Sequence, residues 1–271
     1  MKCDTKYPVL LMHGMGFRDR KYFNYWGRIP TALEEEGATL YYGHQDSLGS
    51  IEHNASVVKQ NLVRILEENQ CEKVNIVAHS KGGLEARYMI SSLGMADKIA
   101  SLTTVSTPHQ GSKTIDLLLR IPQWIYKTAA FFTDRFFGFL GDDNPDFFTV
   151  SHQFSTEHMN EFNQNNPDSS EVYYQSYASV MKNPFSDIIF FWSNLFVELT
   201  EGENDGLVTV KSAQWGDFKG VLHGNTFRGI SHADVVDIRR INLSKKKYKD
   251  GIFDMRTVYI DIVSQLKQMG L

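Results

Sequence analysis

Cysteine is scarce in this sequence, and long apolar runs are missing. Two cysteines, Cys3 and Cys71, are too few for a disulfide framework in 271 residues, so the redox compartment stays open. The apolar stretch at residues 188–199 is much shorter than the roughly 20 residues that cross a bilayer, and it contains Glu198. We therefore expect no transmembrane segment.

An excess of basic residues is also missing. The 28 Lys and Arg residues are outnumbered by 32 Asp and Glu residues, which gives a net charge of -4 and predicts no nucleic-acid partner. No signal peptide is visible, because the first residues lead directly into a predicted core strand. Localisation is therefore open between the cytoplasm and a mature secreted form, and the oligomeric state is open too.

Hydrophobic residues, by contrast, make up 42% of the chain, enough for one α/β domain over residues 1–271 with a sizeable core. Apolar runs alternate with segments whose apolar residues recur at helical spacing. The runs are apolar on both faces, which is typical of a parallel sheet covered by helices on both sides. The predicted strands are 7–12, 38–42, 73–78, 99–105 and 171–180, and the predicted helices are 29–36, 51–69, 82–93, 155–163 and 253–266.

A serine stands where the third predicted strand meets the next helix. The stretch from Ala78 to Gly82, AHSKG, matches the nucleophile-elbow pattern G-x-S-x-G, with alanine in the first place. Small residues are needed on both sides of Ser80, since bulky ones would collide with the adjacent strand and helix at so sharp a turn. The positive end of the helix dipole would also point at the site. The alternative is that Ser80 only caps the helix.

A serine hydroxyl needs a base, and the base needs an orienting group. With this elbow, the partners follow in the order Ser, then Asp or Glu, then His. Among the five histidines downstream, His232 comes late, between a turn-like segment and a predicted helix start. Asp205 in the loop EGENDGLV is the candidate acid, although Asn-Asp-Gly is by itself a common turn.

A glycine-containing turn, His13-Gly14-Met15-Gly16, follows the first predicted strand. Such a turn lets backbone N–H groups point at a carbonyl oxygen, as an oxyanion hole requires. We predict the amides of Met15 and Lys81 as the donors, with an ordinary glycine turn as the alternative for residues 13–16.

Five segments resemble the bacterial triacylglycerol lipases of the α/β-hydrolase superfamily. They are KYPVLLMHGMGF, KVNIVAHSKGGLEARY, LTTVSTPHQGS, ENDGLVTVKSAQWG and SHADVVD, and they span residues 6–237 in the family order. The chain is similar to the compact single-domain type, because it lacks the long insertion that carries zinc in larger relatives. The resemblance implies an α/β-hydrolase fold in which Ser80 is the nucleophile, Asp205 the acid and His232 the base. It also implies the Met15 and Lys81 amides as oxyanion donors.

The resemblance also implies a structural calcium near the catalytic histidine, bound by an aspartate two residues after it. Asp234 occupies that position. At the place of a second family aspartate the sequence has Asn183-Pro184, an amide instead of a carboxylate, which weakens the case because calcium prefers charged oxygens. The alternative is that Asp234 caps a helix or forms a salt bridge. No cofactor is expected for catalysis itself.

An aromatic segment breaks the alternation of strands and helices after Ser112. The resemblance implies a helical lid insertion at about residues 113–150, which covers the site and presents an apolar face to substrate or to a lipid interface. Plain core packing is the alternative for such aromatic stripes. The candidate substrate and lid residues are Phe17, Trp124, Ile125, Phe131, Phe132, Phe136 and Phe137.

These features predict a serine-dependent carboxylic-ester hydrolase, in particular a lipase acting on acylglycerols or other apolar acyl esters through an acyl-enzyme. An esterase, thioesterase or acyltransferase with the same triad is an alternative, because one fold and triad serve many reactions. A catalytically silent hydrolase-like binding protein is another, although such a protein would be expected to lack a triad residue. The expected partner is a lipid or ester substrate, at an oil–water or membrane interface in the lipase case.

Overall fold

A computed structural model of the chain describes residues 1–19, 24–224, 227–243 and 254–271. Within these ranges one sheet has six strands, all paired in parallel, in the spatial order β2-β1-β3-β4-β5-β6. The strands are β1 (Val9–Met12), β2 (Leu40–Tyr42), β3 (Val74–His79), β4 (Ile99–Val105), β5 (Tyr173–Ser179) and β6 (Asp217–Leu222).

Helices connect the strands. They are α1 (Ile29–Glu35), α2 (Ile51–Asn69), α3 (Lys81–Ser91), α4 (Lys113–Leu118), α5 (Gln123–Phe139), α6 (Phe147–Gln153), α7 (Thr156–Asn165), α8 (Phe191–Glu201) and α9 (Met255–Gln268). The first residue of the predicted closing helix, residue 253, lies outside the described ranges. None of the helices in these ranges is both long and apolar enough to cross a membrane.

The two faces of the sheet carry separate cores, because neighbouring strand residues point to opposite sides. On one face, Leu11 packs in a cluster with Trp26 beside α1 and Tyr259 of α9. On the other face, Leu10 packs with residues of α2 and α3, among them Leu62. The predicted parallel sheet with helices on both faces is thereby confirmed.

The order of the strands determines where a site can form. The chain places β2 on one side of β1 and β3 on the other, so the direction of winding reverses between β1 and β3. Ligand sites of open α/β sheets lie at such a switch point, outside the carboxyl ends of the strands. The turn after β1 and the serine after β3 both lie there.

One strand was not predicted, and the apolar residues 207–210 that follow Asp205 do not form a strand. β6 has the sequence DFKGVL, whose polar residues hide the strand pattern. The run at residues 207–210 forms only an isolated bridge between Asn204 and Thr209. Asp205 therefore lies in a loop between α8 and β6, and the hydrogen bond from Met181 N–H to the Asn204 carbonyl (2.9 Å) returns this loop to the end of β5.

Candidate active site

Ser80 lies at the junction of β3 and α3 with φ 54° and ψ -129°. This positive φ is costly for a residue with a side chain, and such strain is concentrated at functional sites. Ser50 and Ser155 also precede helices, and their side chains cap those helices by accepting backbone N–H groups. Ser80 makes no such capping bond to α3, a helix that is described in full. Capping therefore does not explain this serine.

Because Gly14 and Gly82 have no side chains, the turn after β1 and the start of α3 can lie in direct contact. A Cβ atom at Gly82 would lie 2.6 Å from the carbonyl oxygens of both Met12 and His13. A Cβ atom at Gly14 would lie 2.7 Å from Cβ of Ser80. The start of α3 and the turn after β1 are thus in direct contact, as the requirement for small residues around the elbow predicts.

Asp205 and His232 are joined by two hydrogen bonds. The carboxylate oxygen Oδ2 of Asp205 lies 2.9 Å from Nδ1 of His232, and the His232 backbone N–H donates to the Asp205 carbonyl at 2.8 Å. Because an ionised carboxylate can only accept, Nδ1 carries the proton and Nε2 keeps a lone pair that can act as a base. Burial alone would raise the pKa of Asp205, but the charge and hydrogen bond of His232 and the Val208 N–H outweigh it and leave the pKa below its usual value.

Two hydroxyl groups support this pair, and neither was predicted from the sequence. Ser179, at the end of β5, donates to Oδ2 of Asp205 at 3.2 Å. Its own hydroxyl lies 3.0 Å from that of Ser106, which follows β4 and has φ 51°. Serines are too common for their type alone to reveal this role. Only the knowledge that β4 and β5 are neighbours could have suggested it.

His232 lies beside the serine elbow. Its ring centroid is 4.4 Å from that of His79, the residue before Ser80. His79 is held by the Tyr25 hydroxyl, 2.6 Å from its Nδ1, and burial together with the charge of His232 keeps its pKa well below 6.5. Ser80 and His232 are each only 8% exposed, and no hydrogen bond joins them within the described ranges. Catalytic hydrogen bonds of this kind often form only when substrate binds.

The predicted oxyanion donors lie on the two turns that meet. Within the described part of the chain, neither the Met15 nor the Lys81 backbone N–H has an acceptor, so both can receive a ligand oxygen. The side chain of Lys81 is buried and donates to the Gly49 carbonyl at 2.7 Å and to Glu85. These contacts fix the first residue of α3 in place. The Thr107 hydroxyl donates to the Ser80 carbonyl at 2.8 Å, so the loop after β4 supports the elbow.

Asp234, the residue predicted to bind calcium, contacts two arginines. Its Oδ2 lies 3.2 Å from Arg228 and its Oδ1 lies 3.0 Å from Arg239. Asn183 caps the short 3-10 turn at Pro184–Ser186, while Asp187, which the sequence did not single out, lies 2.5 Å from the same Arg239. Nowhere in the described ranges do three or more His, Cys, Asp or Glu side chains form a group that could hold a metal ion.

The aromatic residues of the predicted lid are mostly exposed. Trp124 is 73% and Phe132 is 66% exposed, so core packing does not account for them. A second exposed group lies before and along α8, where Ile188 and Trp192 are 85% and 76% exposed. Ile125, Phe131 and Phe136 on α5, as well as Phe17 after β1, are exposed too, and Phe137 is half-buried. Phe190, just before α8, contacts the His232 ring edge-on at 6.4 Å.

The parallel sheet, its strand order and the serine elbow define an α/β hydrolase. The fold matches that of a metagenomic carboxyl esterase with a TM-score of 0.73 at 14% identity, over 98% of this chain and 76% of the esterase. The chain belongs to the palmitoyl protein thioesterase family, whose model matches residues 8–183.

Two named relatives confirm the similarity to triacylglycerol lipases. Triacylglycerol lipase 2 of Saccharomyces cerevisiae is 29% identical over 239 residues, which cover 81% of this chain and 65% of the yeast protein. A triacylglycerol lipase of Pseudomonas fragi is 26% identical, over 99% of this chain and 98% of the relative. The chain thus spans just under two thirds of the yeast protein's length but nearly all of the Pseudomonas protein's.

Proposed function

We propose that the chain is a serine hydrolase that cleaves acylglycerols or other apolar acyl esters. The observation that carries this proposal is the hydrogen bond between Asp205 and His232 next to a serine whose strained backbone serves no capping role. Nucleophile, base and orienting carboxylate are the three groups that acyl transfer to serine requires. Each comes from a different loop, and all three loops lie at the carboxyl edge of the sheet.

The reaction follows from the direction of these bonds. His232 Nε2 takes the proton of Ser80 Oγ as that oxygen bonds to the ester carbonyl carbon, and the carbonyl oxygen becomes an oxyanion held by the Met15 and Lys81 amides. The carbon–oxygen bond to the alcohol then breaks, and the alcohol leaves with the proton from His232. Water attacks the acyl-enzyme by the same steps in reverse, releasing the acid and restoring Ser80.

The exposed aromatic residues support an apolar substrate. Rings on α5 and beside α8 expose apolar surface to water, which is unfavourable in free energy. Contact with acyl chains or a lipid interface would remove this surface from water. We propose that α4 to α6 act as a lid. We also propose that α5 and residues 185–199 contact the lipid substrate or its interface with water. The low exposure of Ser80 supports a movement of covering residues before substrate reaches it.

A thioesterase is the second candidate, because the family model that matches the chain is that of palmitoyl protein thioesterases. The same serine and histidine would attack an acyl thioester, with a thiol as leaving group.

Comparing substrates on one preparation tests both candidates. Nitrophenyl esters of increasing chain length, emulsified triacylglycerol and a palmitoyl thioester are to be assayed with the wild type, Ser80→Ala and the control Ser91→Ala. We expect esters to be cleaved faster than the thioester, and Ser80→Ala to lose at least about 10³-fold in kcat. Ser91 lies at the other end of α3, so its variant should retain activity. Faster turnover of the thioester would favour the second candidate, and hydrolysis by Ser80→Ala at the wild-type rate would refute both.

A further inference from the structure

Two buried carboxylates flank the His232 loop and share one arginine. Asp187 follows the short turn after β5, and Asp234 follows His232 by two residues; their side chains are 3% and 0% exposed. The guanidinium nitrogen Nη1 of Arg239 lies 2.5 Å from Asp187 Oδ2, 3.0 Å from Asp234 Oδ1 and 3.3 Å from the Ser231 hydroxyl. Three oxygens therefore converge on one nitrogen of the charged guanidinium group.

The loop that carries His232 is built around these groups. The Ser231 hydroxyl donates to Asp187 Oδ2 at 2.6 Å, and the Ser231 backbone N–H donates to Asp234 Oδ2 at 3.3 Å. Arg228 adds a second link, since it donates to the Ser186 carbonyl at 2.7 Å and to Asp234 at 3.2 Å. Ser231 immediately precedes His232, so these bonds hold the backbone from which the imidazole extends.

This donor set does not fit a calcium ion. Calcium takes six to eight oxygens at about 2.3–2.6 Å. Here the centre between the two carboxylates holds a guanidinium nitrogen, and the other Asp234 oxygen contacts Arg228. Asn183, the position at which the second ligand was expected, instead donates its amide to the Phe227 carbonyl at 2.8 Å.

We propose that Arg239 occupies the place of a cation between Asp187 and Asp234 and is a positioning residue for His232, so that this loop needs no metal. The guanidinium is charged at every physiological pH and carries several N–H donors, so it can neutralise two carboxylates and fix their geometry together. The catalytic part of this proposal rests on the proposed hydrolase function. The link between the two aspartates does not.

Thermal unfolding tests the link independently of activity. We expect the Tm of the wild type to be the same in EDTA and in millimolar Ca²⁺, whereas a fall in EDTA or a rise with Ca²⁺ would overturn the proposal. Arg239→Gln should lower the Tm more than Arg240→Gln, a change at an adjacent exposed arginine. The reason is that buried Asp187 would lose its arginine partner, whereas Asp234 would keep Arg228. In Asp187→Asn/Arg239→Gln the Tm should recover above that of Arg239→Gln alone, and no recovery would also overturn it.

Kinetics on a short soluble nitrophenyl ester test the positioning role. Arg239→Gln should lower kcat at least about tenfold with KM within about twofold of the wild type, since a displaced base affects the transition state and not ester binding. Arg240→Gln should keep both values. Equal kcat in the two variants would refute positioning. If Ser80→Ala remained active, the hydrolase proposal would fail, and the Tm results would still decide the link.

Discussion

The carboxyl edge of the sheet and the helices between β4 and β5 are built in opposite ways. At the edge, charged groups are paired, and all of them except the partly exposed Arg239 are buried: Asp205 pairs with His232, Lys81 with Glu85 and Arg239 with two aspartates. On α5, rings as large as Trp124 and Phe139 face solvent, at 73% and 88% exposure. Matched polar groups hold one geometry, whereas exposed apolar groups gain by meeting another apolar phase. We propose that the paired edge is a rigid reaction centre and that α5 is a surface adapted to substrate.

Disrupting the pair of Asp205 and His232 at the carboxyl edge of the sheet should have the largest effect on activity. We expect Asp205→Asn to lower kcat by about 10³- to 10⁴-fold, because an amide neither stabilises the charged imidazole nor enforces the same tautomer. Steady-state hydrolysis of a soluble ester measures this, with exposed Asp97→Asn as the control. A kcat within tenfold of the wild type would show that Asp205 is a turn residue only.

Removing aromatic rings from the exposed surface of α5 should have an intermediate effect, and it should lower activity only on lipid substrates. The double variant Phe132→Ser/Phe136→Ser should lose about 10²-fold in activity on emulsified triacylglycerol, since burying each ring stabilises binding by roughly 1.5–3 kcal/mol. Activity on a short soluble ester should not change. Val63→Ser, an exposed apolar position on α2, is the control. Equal losses on both substrates would place these rings in the reaction centre instead.

Lowering the pH should reduce the free energy of unfolding gradually, and this is the smallest of the expected effects. Burial, and next the charge of Arg87, keep the pKa of His109 well below 6.5 in the folded protein. The unfolded chain therefore binds the extra proton first, so the stability from this group is complete above about pH 6.5 and falls by up to about 1.4 kcal/mol per pH unit below it. Denaturant unfolding at several pH values between 7 and 5 measures this. The free energy of unfolding should change less steeply with pH in His109→Gln than in His223→Gln, a change at an exposed histidine. An identical pH dependence in the two variants would show that the pKa of His109 is not lowered in the folded protein.

The parts that were predictable from the sequence are those with a strong local pattern. The strand at Ile99–Val105 and the helix at Ile51–Asn69 were predicted with the bounds observed, because long apolar runs and regular helical spacing need no tertiary information. The edge strand β6 was missed because its polar residues do not alternate clearly with apolar ones. Ser106, Ser179 and Asp187 were missed because their roles arise from strand neighbours and loop returns, which a single sequence does not encode locally.

The proposed function requires Ser80 to be an activated nucleophile. A fluorophosphonate probe followed by peptide mass spectrometry tests it most directly, since the probe bonds only to a serine whose proton a nearby base removes. We predict a single adduct on the peptide containing Ser80 in the wild type and none in Ser80→Ala. An unlabelled wild type, or an adduct on another serine, would show that Ser80 is not the nucleophile.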